Sequence, residues 1–150
     1  MSRVSMLITI SSRKKISEFV KFYETWQVKA GTISLGRGTA ASEVLDYLGL
    51  EDEEKGVFFA LVTDAVWQKL KKGLQKELQI DIPGTGIAFT IPLSSIGGKR
   101  TLAFFLDGQE FEKEEEAELT DAKHELIIAI ANYGYTTKVM EAARTGGATG

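Results

Sequence analysis

Two short runs in this sequence gather the backbone amides that an anion seeks: Gly36-Arg37-Gly38-Thr39 and Pro83-Gly84-Thr85-Gly86. Alternating glycines let successive N–H groups turn toward one point. The resulting nest suits phosphate or carboxylate oxygens, and Arg37 adds a fork of permanently charged donors. The same residues also serve as plain turns, because Gly and Pro-Gly supply the backbone angles that end one element and start the next. Neither run is a Walker loop, and neither carries the spaced glycines of the dinucleotide fingerprint.

Other chemistry is scarce. His124 is the only histidine and there is no cysteine, so no nucleophile and base pair is indicated, nor any thiolate zinc site. Six glutamates fall between Glu110 and Glu118, without the glycine or the alternating ligand spacing of a calcium loop. Their mutual repulsion favours a solvated linker or an exposed helix. No catalytic residue and no metal ligand is assigned, and a binding protein is expected rather than an enzyme.

Composition sets the class. A chain of 150 residues with 43% hydrophobic and 26% charged residues is long enough for one domain with a real core. The net charge of −3 supplies no basic stripe to neutralise phosphates, so nucleic acid is not an expected partner. The apolar run in MSRVSMLITISSRKK is too short for a signal peptide, and nothing reaches membrane-spanning length. With cysteine absent, a cytoplasmic location is expected.

The elements that must position the two turns follow from periodicity. VSMLITI (4–10) reads as a strand, after which Ile16, Phe19, Val20, Tyr23 and Trp26 recur at helical spacing. GTISL (31–35) is a second strand running into the first glycine turn. A small helix at SEVLDYLG follows, with Ser42 as its N-cap and Gly49 as its stop. VFFALV (57–62) has the unbroken apolar character of a central strand. Thr63 or Asp64 caps a helix with a stripe of Trp67, Leu70, Leu74 and Leu78. Residues 81–86 end that helix, and 87–93 form the fourth strand. The order is β-α-β-β-α-β with a small inserted helix, an α+β fold of the split, ferredoxin-like kind. Two helices on one face leave the other sheet face open, which points to a homo-oligomer. KRTLAFFLDG (99–108) reads as an extra strand.

Residues 124–150 start the pattern again. LITI at 7–10 matches IIAI at 127–130 with an offset of 120, and in the helix Val20 matches Val139 with an offset of 119. The expected organisation is a module over 1–106, an acidic linker over 107–123, and a strand and helix over 124–150 that open a second, similar module.

In LGRGTA, PGTGIAFTIPLSSIGG and ELIIAIANYGYTTKVMEAARTGGATG the sequence resembles the PII nitrogen-regulatory signalling proteins, and more closely their PII-like relatives with two tandem modules. The resemblance covers most of residues 5–100 and the partial second copy. It implies a trimer of ferredoxin-like units that binds an adenine nucleotide between subunits and reports ligand state to a partner protein. The implied ligand-binding residues are Gly36, Arg37, Gly38, Thr39, Gly84, Thr85, Gly86 and Arg100. Ile87 stands where the family has a phosphate-contacting lysine, and Gly98 stands where it has the first of two basic residues. Each lost charge-assisted hydrogen bond removes about 1.5–3 kcal/mol, leaving main-chain amides to do most of the holding. The family's signalling loop is replaced by ASEVLDYLGLEDEEKG, so Tyr47 is expected to pack in the small helix. The alternative is a scaffold oligomer whose glycine turns only shape the fold.

Overall fold

A computed structural model describes residues 3–37, 54–110 and 125–148. The chain divides into two compact bodies, Met1–Glu118 and Leu119–Gly150. The first contains β1 (Val4–Ser12), α1 (Ile16–Thr25), β2 (Gly31–Arg37), β3 (Glu54–Thr63), α2 (Asp64–Lys76), β4 (Ile87–Pro92) and α3 (Lys99–Phe105). The second contains α4 (Thr136–Thr145).

The sheet order is β2-β3-β1-β4, antiparallel at every pairing. This is the split β-α-β, or ferredoxin-like, arrangement expected from the order of elements. Register sorts the side chains onto two faces. Leu7 lies opposite Ala60 and Thr90, and Thr9 lies opposite Phe58 and Ala88. That face receives Ile16, Phe19, Phe22 and Tyr23 from α1 and Val66, Leu70 and Leu74 from α2. The helical stripes were legible from spacing, with Phe22 as an addition: an aromatic residue beside Tyr23 widens the buried face beyond the strict repeat.

The core holds one polar pair. Thr9 Oγ1 and the Tyr23 hydroxyl lie 2.6 Å apart, both fully buried, and the Tyr23 ring stacks on Phe58 at 5.6 Å. Burial pushes the Tyr23 phenol up to about 12, and the hydrogen bond from Thr9 only partly offsets it. At the end of α1, Gln27 adopts a φ of 70°, and Thr25 Oγ1 donates to the Phe22 carbonyl. At the start of α2, Thr63 Oγ1 accepts from Val66 N, so of the two candidate caps Thr63 is the one used.

The opposite sheet face carries Ile10, Val57, Phe59, Ile87, Phe89 and Ile91, with Ile87 and Phe89 exposed. Beyond β4 the expected extra strand is absent. Residues 99–105 form α3 instead. Gly98, at a φ of 96°, turns the chain into this helix. The inward residues Leu102, Phe105, Leu106 and Gln109 then recur every three or four positions, a helical and not an alternating pattern. Phe104, which an alternating strand would have placed with Leu102, is left exposed.

The packing of the first body runs on to Gln109. β2 begins at Gly31, opposite Ala60, so Leu61 to Thr63 of β3 have no strand on that side. The buried Gln109 amide takes the place of one: its Oε1 accepts from Thr63 N at 3.0 Å, and its Nε2 donates to the Leu61 carbonyl at 2.9 Å.

In the second body, residues 125–130, expected as a strand, pair with none of the described residues and are exposed. A strand exists only through a neighbour's ladder. The helix of the expected pair is present as α4. The inserted helix at 42–49 with Tyr47, the acidic run beyond Glu110, and His124 lie outside the described residues.

Candidate functional site

Gly36 and Arg37 are paired residues at the end of β2 and not the turn expected there, and they share one end of the sheet with the Pro83–Gly86 turn. Gly36 lies opposite Lys55, and Arg37 lies opposite Glu54. Lys55 in turn lies opposite Ser12, and Ile10 lies opposite Ile87, the residue after Gly86. A single row across the strand ends therefore runs from Gly36 through Lys55 and Ser12 to the Pro83–Gly86 turn. β2 and β4 are the two outer strands of the four, however, so three interstrand steps separate the turns, about 14 Å at about 4.8 Å per step. Within one copy the turns share an end of the sheet but not a pocket.

The Pro83–Gly86 turn is anchored to β1. Thr85 N donates to the Ile82 carbonyl at 3.1 Å, and Ser11 Oγ donates to the Thr85 carbonyl at 2.6 Å. Gly84 and Gly86 have φ values of 84° and 149°. A Cβ on Gly86 would lie 2.7 Å from the Ile10 carbonyl oxygen and 3.1 Å from Ser11 Cβ, so glycine is demanded here by the approach of β1 whatever the turn binds. Gly36 is under no such pressure: a Cβ there would meet Val57 Cγ2 at an ordinary 3.4 Å.

Between the turns the strand ends carry cations that the motif reading passed over. Arg13 and Lys15 follow β1 directly, and Lys55 stands in the middle of the row. Arg13 N donates to the Glu54 carbonyl at 2.9 Å, and the Arg13 guanidinium pairs with the Glu54 carboxylate. Both side chains are more than half exposed, so this pair contributes at most about 1 kcal/mol to stability. The signal was present in SSRKK, a basic run at a strand end, but only the strand order shows that it borders the other two segments.

Of the remaining candidates, Arg100 is an exposed residue in the first turn of α3. That helix begins beyond Pro92, which lies opposite Ser5 at the other end of β1, so the ladder does not group Arg100 with the turns. Gly38 and Thr39 lie outside the described residues. Among the described residues no cluster of His, Asp or Glu could hold a metal ion, and no helix is long and apolar enough to cross a membrane.

No family model matches the chain, and no curated protein matches it. Among solved structures it is similar to a protein from Thermus thermophilus described as a PII-like signaling protein. The two share 18% identity at a TM-score of 0.43, over 61% of this chain and 88% of the other. The ferredoxin-like assignment stands on this chain's own strand order and register.

Proposed function

We propose that the chain is a non-enzymatic, PII-like signal-transduction regulator of the cytoplasm, acting in nitrogen metabolism through a protein partner. Its effector is an adenine nucleotide or a similar small anion, held between subunits of a homo-oligomer, with a trimer as the expected state. Residues 36–39 of one copy and 84–86 of a neighbour would grip it, with Arg100 as a further cation. The observation that carries this reading is the placement of Gly36 and Arg37 at the end of β2 and of the Pro83–Gly86 turn beside β4, at one end of the sheet but on opposite outer strands. A second copy can bring such turns together where a single copy keeps them apart. The apolar sheet face with Ile87 and Phe89 exposed supplies a surface for that association.

Thermal unfolding with ATP, ADP, AMP and cyclic nucleotides, alongside the solution mass, tests the proposal. A ligand at a hundred times its Kd adds about 2.7 kcal/mol of stability, and the expected mass is a multiple of 16.5 kDa. A monomer, or no shift at millimolar ligand, would overturn it. The steric demand at Gly86 favours one second reading, a scaffold oligomer whose glycines serve only the fold. Gly36→Ala separates the two, because its Cβ fits: the regulator loses ligand response with its stability intact, whereas the scaffold has no response to lose.

A further inference from the structure

We propose that the outer face of α2 docks an acidic helical segment of a partner protein. Between Asp64 at its start and Glu77 beyond its end, α2 exposes four lysines and no carboxylate. Lys69, Lys72 and Lys76 recur at steps of three and four, so they lie within about 60° of one another round the helix and span about 10 Å along it. The fourth, Lys71, is turned aside over the Trp67 ring at 6.0 Å. Among the described residues none of the three stripe lysines makes an ion pair. Like charges three and four positions apart repel, so the stripe costs α2 stability that this body does not return. α1, packed beside α2 on the same sheet face, is built differently: its exposed Glu18, Lys21 and Glu24 alternate in sign at three-residue spacing and neutralise one another. The net charge of −3 conceals the stripe, because a sum over the chain does not say where its charges stand.

The surroundings of the stripe select among anionic partners. A helix that lies on a membrane sinks apolar side chains into the lipid interface, and neither α1 nor α2 exposes a large hydrophobic residue. A nucleic acid spreads phosphates over a broad contact and favours arginine and aromatic partners. α2 has no arginine, and the exposed carboxylates of Glu18 and Glu24 stand on the neighbouring helix, where they repel a wide polyanion. A single acidic helix is narrow enough to lie along α2 alone. Its carboxylates at positions i, i+3 and i+7 repeat the lysine spacing, with about 5–6 Å between neighbouring Cβ atoms, so three pairs form in one register. The flexible stems of the lysines let each ammonium reach its carboxylate without exact alignment of the two axes. This inference does not depend on any effector, and the three lysines are not among the residues proposed to grip one.

The test is fluorescence anisotropy of a labelled helical peptide of about 20 residues, carrying glutamate at i, i+3 and i+7, titrated with the full-length protein. Lys69→Gln, Lys72→Gln and Lys76→Gln together preserve helix propensity and should weaken binding on the order of tenfold at low salt. Wild-type affinity should fall by a similar factor between about 0.05 and 0.5 M salt, while that of the triple variant should change little. A control carrying Lys29→Gln, Lys99→Gln and Lys138→Gln loses the same charge elsewhere and should bind within about twofold of wild type. Unfolding midpoints of both variants should lie within a few degrees of wild type. No binding of the peptide at millimolar protein overturns the proposal, as does equal affinity of wild type and the α2 variant. An equal loss in the control also overturns it, because net charge would then be the cause. Tighter binding of a single-stranded oligonucleotide, or of vesicles containing phosphatidylserine, assigns the stripe to nucleic acid or membrane instead. A nucleotide shift should persist in the α2 variant, so failure of this docking surface and failure of the regulatory reading are told apart.

Discussion

Replacing Tyr23 with phenylalanine should change stability in two separable ways. At neutral pH it removes the partner of Thr9 Oγ1, which is fully buried. A buried hydroxyl stripped of its hydrogen bond costs about 1–3 kcal/mol. At alkaline pH the sign reverses. Burial holds the phenol at about 12 against an ordinary 10.0, so the unfolded chain gives up its proton first. The contribution of Tyr23 to stability is flat below pH 10 and falls as pH rises from 10 through 12, by roughly 3 kcal/mol at most. Tyr23→Phe lacks this loss. The gap between wild type and variant should therefore close, and can invert, across that window. Urea titrations of both proteins at pH 7, 9, 10, 11 and 12 measure the gap, and taking the difference cancels every other titrating group. Stability curves that stay parallel from pH 9 to 12 would refute the assignment of Tyr23 as a buried neutral phenol. A companion variant, Thr9→Val with Tyr23→Phe, removes both polar atoms and should recover most of the neutral-pH loss.

Three further outcomes are expected. Gln109→Ala strips the amide that pairs with Leu61 and Thr63, so it should lower stability by about 1–3 kcal/mol in chemical denaturation, with residues 61–63 gaining hydrogen exchange. Gly86→Ala forces a Cβ to within 2.7 Å of a main-chain oxygen and should cost about 1–3 kcal/mol or more, whereas at Gly97, where nothing lies within 4 Å, the same change should stay within about 0.5 kcal/mol. Thr63→Ala should cost about 1 kcal/mol through the lost cap of α2, with Thr63→Ser restoring most of it in thermal melts.

Periodicity carried the first body well. β1 and α1 announce themselves because the β-rich run at 4–10 ends in a polar cluster and gives way to a three-to-four repeat from Ile16. α3 was misread because Leu102, Phe104 and Phe105 look strand-like over a short run. What decides the matter is the glycine pair before them and the burial of Leu106 and Gln109 after them. Residues 125–130 pose a different question. Their strand character is real as composition, but a strand is a relation between two segments, and one segment's sequence does not contain its partner. The glycine turns were visible as motifs. Their separation across the sheet was not, because it follows from which strands lie outermost, a property of topology and not of any local run. The cations of SSRKK became part of the site description only through that same topology.

The Gln109 side chain has a consequence for what the overhanging end of β3 can still pair with. Open rungs on a sheet invite recruitment of other chains, and β3 overhangs its neighbour by Leu61 to Thr63. An amide already seated on those rungs stoppers the overhang, so an incoming polypeptide finds no continuous track along that flank beyond Gly31. One neutral residue thereby occupies backbone groups at a position where proteins often spend a charge or a proline.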